Sequence, residues 1–360
     1  MTQNQPLHVA IIGGGFMGRV HAQAARSAGA HIVGISSSSL ASAERAAAAY
    51  GIGKAFATAE ELIADPSVQV VHICTPNATH ADLAHKAIAA GKHVICEKPL
   101  AVSSAESESL VNAVTAANLV GAVPFVYRFH PMVREARARV ANGETGRIIS
   151  VRGSYLQDWL LEAGDDNWRV SSSEGGASRA FADIGSHLVD LMEFVLGDRI
   201  ASLNALTNIA HASRAGHSVD TEDEAVLIFK SVNGVVGTLM VSQVAAGRKN
   251  RLQLDVAGTN QSIEFNQETP ESIWLGRRSG SITLPRDESL NGPEANRLST
   301  VPSGHPMGYV DAFAGFVRDV YSAVRGESID GLPLFADGHR SSKVIEAVLQ
   351  SASTGQWVNL

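Results

Sequence analysis

The sequence predicts an α/β chain in two parts: an N-terminal Rossmann-type, doubly wound parallel sheet, then an α+β domain with a large, mostly antiparallel open sheet. Three observations carry this. Short β-branched runs alternate with alanine-rich stretches over the first third of the chain. A glycine cluster directly follows the first run, and near residue 124 the rhythm changes to strands of alternating polarity punctuated by Asn233-Gly234.

With 360 residues the chain suffices for about two domains of ~150 residues each. At 45% hydrophobic and 18% charged residues it reads as an ordinary globule, neither a polar tail nor a membrane protein. Acidic groups number 36 against 29 basic ones, and a net charge of −7 is the wrong sign for neutralising phosphate backbones, so nucleic acid is not an expected partner. Cys74 and Cys96 both lie in apolar runs, and MTQNQPLHVAIIGGG has no basic region ahead of its apolar segment. A reducing, cytoplasmic setting is expected. No apolar stretch approaches the ~20 residues of a membrane span, so no membrane partner is expected either.

The first part reads LHVAII and a helix from Gly15; HIVGI and SLASAERAAAAY; VQVVHIC and ATHADLAHKAIAAG; HVIC and SSAESESLVNAVTAAN. This βαβ rhythm implies parallel strands covered on both faces. Thr58 with Glu61 has capping-box spacing, and Gly91 and Gly121 stand where helices would stop. Beyond residue 124, PMVREARARVANG reads as a helix, RIISVRGSYLQ as a strand and AFADIGSHLVDLMEFVLG as a helix. AVLIFKSV and VVGTLMVSQV form a hairpin, and LQLDVAG, SIEFNQ and SIWLG extend the sheet. Residues 285–305 read as a polar loop without periodicity, and two helices follow. The expected division is a parallel α/β domain over 1–123, an α+β domain over 124–336, and a closing helix and tail over 337–360.

Chemistry begins at Gly13-Gly14-Gly15-Phe16-Met17-Gly18, a G-x-G-x-x-G between strand and helix. Gly13 makes the tight turn, Gly15 lets the backbone approach a pyrophosphate, and Gly18 lets helix and strand pack closely. A plain glycine turn is the alternative, and the βαβ series around the motif argues against it. The adenosine ribose is expected at the end of the second strand, where Ser36 and Ser37 stand in place of the acid usual for NAD. No arginine occupies that strand end either, so NAD is the expected cofactor, with NADP as an alternative.

Cys74-Thr75-Pro76-Asn77 closes the third strand, at the carboxyl edge where ligands sit in open α/β sheets. Thr75, Pro76 and Asn77 are candidates for the ribose or nicotinamide, against the alternative of a capped proline turn. His80 is a further candidate, although its place on the helix suits a surface residue. Glu97-Lys98-Pro99 ends the fourth strand, where a lysine after a buried run points to a functional role. Lys98 would bind a substrate hydroxyl and stabilise alkoxide, with Glu97 on the cofactor ribose. The alternative is a snorkelling Lys98 paired with Glu97. Gly175-Gly176 precedes Asp183, His187 and Asp190, and on an α-helix Asp183 and His187 share one face, so that a carboxylate can tune an imidazole for proton transfer. An Asp cap with a core histidine is the alternative. The sequence offers no metal-ligand cluster.

In order and spacing these motifs resemble the glucose-fructose oxidoreductase, inositol dehydrogenase and rhizopine-catabolism (Gfo/Idh/MocA) family over essentially the whole chain. The resemblance implies a Rossmann domain, a C-terminal domain whose open sheet serves oligomerisation, and a nicotinamide cofactor at the domain cleft. It implies Lys98, Asp183 and His187 as the catalytic set, His187 taking the hydroxyl proton and Lys98 polarising the same oxygen. Ser36, where many members carry Asp, departs from the pattern and leaves cofactor preference open. The segments around Tyr155, Gln157, Asn167-Trp168-Arg169 and Gly304-His305 look most like members acting on pyranosides. Tyr127, Arg128, Tyr155, Gln157, Trp168, Arg169 and His305 are thus candidate substrate contacts, with packing and ion pairing the alternative. The expected function is oxidation of a secondary hydroxyl, at carbon 3, of a sugar or glycoside by a homodimer or homotetramer. A redox-neutral NAD-dependent glycosidase and a non-catalytic NAD sensor are the other readings.

Overall fold

The computed structural model describes residues 5–360; the first four residues of the segment read as lacking a leader lie outside the described residues. The chain divides into two compact units, one comprising residues up to Val126 with Phe313–Ser342, the other Tyr127–Ala312 with Lys343–Leu360. The sequence boundary near 124 falls close to the first junction. Residues 313–336, expected in the second domain, belong to the first unit.

The first unit contains the parallel strands β1 (His8–Ile12), β2 (His31–Ser36), β3 (Val70–Ile73), β4 (His93–Cys96) and β5 (Gly121–Ala122) in the order β2-β1-β3-β4-β5. Order reverses between β1 and β3, the kind of switch point at which open α/β sheets take their ligands beyond the strands' carboxyl ends. Core residues such as Ile73, Val94 and Cys96 are wholly buried, as expected for a sheet covered on both faces. Gly91 ends its helix with φ +73 as read from the sequence. Gly121 does not: it lies in β5, and a Cβ there would sit 2.7 Å from the Phe335 ring, so packing rather than chain reversal requires the glycine. The preceding helix, Ser104–Ala116, is instead followed by Asn118 at φ 51.

The second unit is built on β6 (Ile148–Leu156), β7 (Ile200–Asn208), β10 (Glu224–Ser231), β11 (Val236–Ser242), β12 (Arg251–Gly258), β13 (Ser262–Asn266), β14 (Ser272–Arg277), β15 (Gly280–Pro285) and β16 (Val358–Asn359). A separate ribbon pairs β8 (Ser213–Arg214) with β9 (His217–Ser218). The large sheet runs β15-β14-β13-β12-β6-β11-β10-β7-β16, with only β6 and β11 parallel. Gly234, at φ 85, makes the predicted hairpin turn between β10 and β11. Helices Pro131–Ala141 and Ser186–Leu196 bury Met132, Leu188 and Leu191 among Val151, Leu239 and Leu254 of one sheet face. The polar segment 285–305 holds a short helix, Pro293–Leu298, entered through a proline at its first position. Among the described residues no helix is long and apolar enough to cross a membrane.

Candidate functional site

In the first unit the glycine turn is shaped by close approach. A Cβ on Gly13 (φ +117) would lie 2.5 Å from the Cys74 carbonyl oxygen, and one on Gly18 would lie 1.9 Å from the Gly13 carbonyl oxygen. Gly15 differs, since nothing comes within 4 Å of its would-be Cβ. Helix Phe16–Ser27 starts there without a side-chain cap. An open backbone approach at an uncapped helix start is what a pyrophosphate needs, so these residues fit a dinucleotide. Phe16 is exposed and Met17 half-buried on the same turn. Tyr50, which sequence reading passed over, donates its hydroxyl to the Gly14 and Gly15 carbonyls at 2.7 and 3.1 Å and braces the turn.

The serines of the run 36–39 play different parts. Ser36 is wholly buried, its carbonyl taken by the Gly13 N–H at 2.9 Å, so its side chain is no probe of a ribose. Ser37 is half-buried, faces Ser42 at 3.1 Å, and lies 3.1 Å from where a Gly14 Cβ would be. Ser39 caps helix Leu40–Tyr50 through the Ser42 N–H.

Thr75 and Pro76 are half-buried after β3, and Asn77 opens a short 3-10 turn. His80 is neither on the surface nor open to a ligand. Fully buried, it places Nδ1 2.8 Å from the Pro99 carbonyl and Nε2 2.9 Å from the Thr75 carbonyl, tying together the two loops that hold Thr75 and Lys98. Burial lowers the His80 pKa, opposed by the two carbonyls that favour its proton. Lys98 is half-buried after β4. Its backbone N–H donates to Glu97 Oε2 at 3.2 Å, while Glu97 Oε1 turns to His21 at 3.0 Å.

In the second unit Asp183 stands on a π-helical turn, Phe181–Gly185, rather than on the expected α-helix, and His187 follows in the first turn of Ser186–Leu196. Gly185 permits the wide turn to close, since a Cβ there would meet the Phe181 ring at 2.5 Å. The Asp183 carboxylate receives Gln243 Nε2 at 2.8 Å and faces Arg169 Nε at 3.3 Å. The Arg169 guanidinium lies over the half-buried Trp168 ring, 4.4 Å from its centroid.

His187 is 9% exposed and packs edge-on against Tyr127 at 5.1 Å, with Tyr155 at 6.5 Å. Tyr155 donates to Asn250 Oδ1 at 2.7 Å, so its oxygen accepts from Tyr127 across 2.5 Å, and Asn250 Nδ2 donates back to Tyr127 at 3.5 Å. Both hydroxyl protons are committed in this ring, and burial pushes both phenol pKa values up. Gln157 extends it, donating to Asn250 Oδ1 at 2.9 Å and accepting from Trp159 at 2.8 Å.

Two expected contacts lie elsewhere. Arg128 is buried and binds Asp190 through two nitrogens, Nε at 2.8 Å and Nη2, which engages both residues in the core rather than with a sugar. His305 is exposed, its carbonyl held by Arg286 Nη2 at 2.7 Å. Gln243 and Asn250 were not found by sequence reading; the available signal was that Gln243 directly follows β11 and Asn250 directly precedes β12, strands whose inward positions are largely apolar.

The profile "Oxidoreductase family, NAD-binding Rossmann fold" matches residues 7–125, and "GFO/IDH/MocA C-terminal domain" matches 133–264. Levoglucosan dehydrogenase from Pseudarthrobacter phenanthrenivorans is 32% identical, with 99% of this chain and 98% of that one covered. Glucose-6-phosphate 3-dehydrogenase from Bacillus subtilis is 25% identical over 97% of each chain. A solved levoglucosan dehydrogenase, in complex with NADH and levoglucosan, superposes with a TM-score of 0.92 at 32% identity over 99% of both chains. With the glycine turn, the switch-point sheet and full-length likeness in agreement, the chain belongs to the GFO/IDH/MocA family of oxidoreductases and carries its NAD-binding Rossmann fold.

Proposed function

We propose that the protein is an NAD-dependent dehydrogenase oxidising a secondary hydroxyl, at ring carbon 3, of a sugar or glycoside. The full-length likeness to levoglucosan dehydrogenase carries this reading. NAD supplies the hydride acceptor when bound. Gly13, Gly15 and Gly18 admit its pyrophosphate, Ser37 meets the adenosine ribose, and Thr75, Asn77 and Glu97 orient the nicotinamide end. With no guanidinium at the strand end to grip a 2′-phosphate, NADP is admitted more weakly than NAD.

Lys98 polarises the substrate oxygen and stabilises developing alkoxide, while His187 removes the hydroxyl proton. Asp183, fixed by Gln243 and Arg169, sets the charge beside the imidazole. Trp168, Arg169 and Gln157 offer the flat face and donors that a pyranose ring requires. Tyr127 and Tyr155, whose phenol pKa values are pushed up, are poorly suited to serve as the second base that a redox-neutral glycosidase needs.

The reading includes association of copies through the outer face of the large sheet. There Leu206, Val226 and Met240 are cross-strand neighbours on β7, β10 and β11, all exposed, with Ile228 and Val236 beside them. It also places the protein in the cytoplasm, where its free cysteines persist.

The test is incubation of the purified protein with NAD or NADP and a panel of sugars and glycosides. Absorbance of reduced cofactor and the ketone position are followed. One reduced NAD per 3-keto product is expected. Absence of reduction with every sugar and polyol overturns the reading in favour of an NAD-binding protein without turnover.

A further inference from the structure

We propose that His21, His72 and Tyr321 form a directed hydrogen-bond relay that positions the Glu97 carboxylate and thereby sets the grip on the nicotinamide end of the cofactor. The inference rests on the reading above in which Glu97 meets the cofactor ribose. All four residues belong to the first unit, and each comes from a different place in the chain. His21 lies on helix Phe16–Ser27 just behind the glycine turn, His72 on β3, Glu97 after β4, and Tyr321 on helix Tyr309–Val324. His21 and His72 are 0% exposed, Tyr321 1% and Glu97 6%.

The contacts form one line. Tyr321 Oη lies 2.9 Å from His72 Nε2, His72 Nδ1 lies 3.0 Å from His21 Nδ1, and His21 Nε2 lies 3.0 Å from Glu97 Oε1. An ionised carboxylate only accepts, so His21 carries its proton on Nε2 and donates it to Glu97. In the proposed relay His21 carries that one proton, and its Nδ1 lone pair accepts from His72 Nδ1–H. His72, carrying its proton on Nδ1, has its own lone pair on Nε2, which accepts from the Tyr321 hydroxyl. Every donor points toward Glu97.

Both nitrogens of both rings are used, and one tautomer error anywhere in the line sets two N–H groups or two lone pairs face to face in a dry interior. Burial lowers the His72 pKa, so this ring carries a single proton. Phe313, 4.8 Å from the His21 ring, walls one side of the line. Glu97 Oε2 accepts from the Lys98 N–H, so the line ends at the residue that precedes the proposed catalytic lysine. A polar line buried only for packing would end among core groups. This one ends on the least buried of its four members, at the carboxyl edge of the sheet. The three relay residues are positioning residues, acting through Glu97.

The experiment labels histidine at both ring nitrogens and reads tautomers by NMR in the full chain, with His21→Gln and His72→Gln assigning the signals. NADH affinity is measured by fluorescence. His21 is expected as the Nε2–H tautomer and His72 as Nδ1–H. Tyr321→Phe keeps the ring and removes the last donor; it should shift the His72 and His21 ring-nitrogen signals and weaken NADH binding ~2-fold to ~10-fold, the effect of one hydrogen bond. Turnover at saturating NAD should change less than NADH affinity. Finding His72 protonated at Nε2 in the native protein overturns the direction of the relay. Shifted tautomers with unchanged NADH affinity in Tyr321→Phe overturn its positioning role. Glu97→Gln separates the two levels. Unchanged NADH affinity there, with the expected tautomers in the native chain, overturns the ribose reading and the cofactor half of the proposal together.

Discussion

Gln243 donates from Nε2 to Asp183 Oδ2 at 2.8 Å, and Gln243 is itself wholly buried at the end of the central hairpin strand. The bond joins the sheet to a π-helical turn, whose backbone is less regular than an α-helix and so depends more on side-chain ties. Gln243→Leu keeps the volume and deletes the donor. A hydrogen bond to a charged group is worth roughly 1.5–3 kcal/mol, so kcat should fall about 10-fold to 100-fold while NADH affinity holds. Unchanged steady-state kinetics would remove Asp183 from the proposed machinery.

Lys98 and His187 are proposed to act on one substrate oxygen, and neither should be dispensable. Lys98→Ala and His187→Ala should each lower turnover by ~10²-fold or more, with NADH still bound. Wild-type turnover in either folded variant would exclude that residue from the chemistry.

Ser36 and Ser37 separate stability from cofactor choice. An Asp at Ser36 would place a carboxylate in a fully buried position, costing ~2 kcal/mol or more and lowering the melting temperature. Ser37→Asp lies on the half-buried side of the strand end and should strengthen the preference for NAD over NADP by repelling a 2′-phosphate. Titration with both cofactors and thermal melts distinguish the two; an unchanged affinity ratio in Ser37→Asp would place the ribose elsewhere.

The contrast between these serines shows where the sequence was legible. The glycine turn, the alternation of strands and helices and the Asn233-Gly234 hairpin depend on neighbours a few residues away, so local spacing suffices to read them. Ser36 and Ser37 are adjacent and chemically identical, and only the packing around β2 tells them apart. His80 looked like a surface residue because its two partners, Thr75 and Pro99, flank it from different loops. Gly121 looked like a helix stop because Phe335, which demands the missing Cβ, is more than 200 residues away. The π-turn at Asp183 was hidden for a local reason: an apolar stripe at 3.6 spacing does not reveal one extra residue in a turn.

His130 supplies a pH prediction. It is buried, 2% exposed, and burial pushes its pKa from 6.5 down to about 4, with Asp311 opposing the shift. A base whose pKa is lower in the folded state binds its proton more readily when unfolded. Its stabilisation is therefore full above pH 6.5 and is lost as pH falls toward 4, by about 3 kcal/mol in total. His72 and His80 shift in the same direction, also through burial. Urea unfolding across this window should show stability dropping with acid, and His130→Phe should flatten part of that slope. An equal slope in the variant would assign the acid sensitivity to other groups.

Tyr155 decides between the two chemistries open to the same catalytic set. Oxidation at carbon 3 of a glycoside acidifies the carbon 2 proton, and a second base can then expel the aglycone before water adds and the hydride returns. Such an enzyme needs only catalytic NAD, whereas a dehydrogenase releases reduced cofactor with each turnover. Tyr155 and Tyr127 lie beside His187, but each hydroxyl proton is already given to a neighbour in the ring closed by Asn250, and both phenols resist ionisation. A tyrosine so arranged is a strut under the imidazole rather than a base. Tyr155→Phe should therefore retain turnover within about 10-fold, the loss being that of a buried hydrogen bond, and should raise KM more than it lowers kcat. With aryl glycosides and substoichiometric NAD, no more aglycone should appear than NAD was supplied. Many aglycones per NAD, solvent deuterium at carbon 2, and loss of both in Tyr155→Phe would make Tyr155 the second base and the protein a glycosidase.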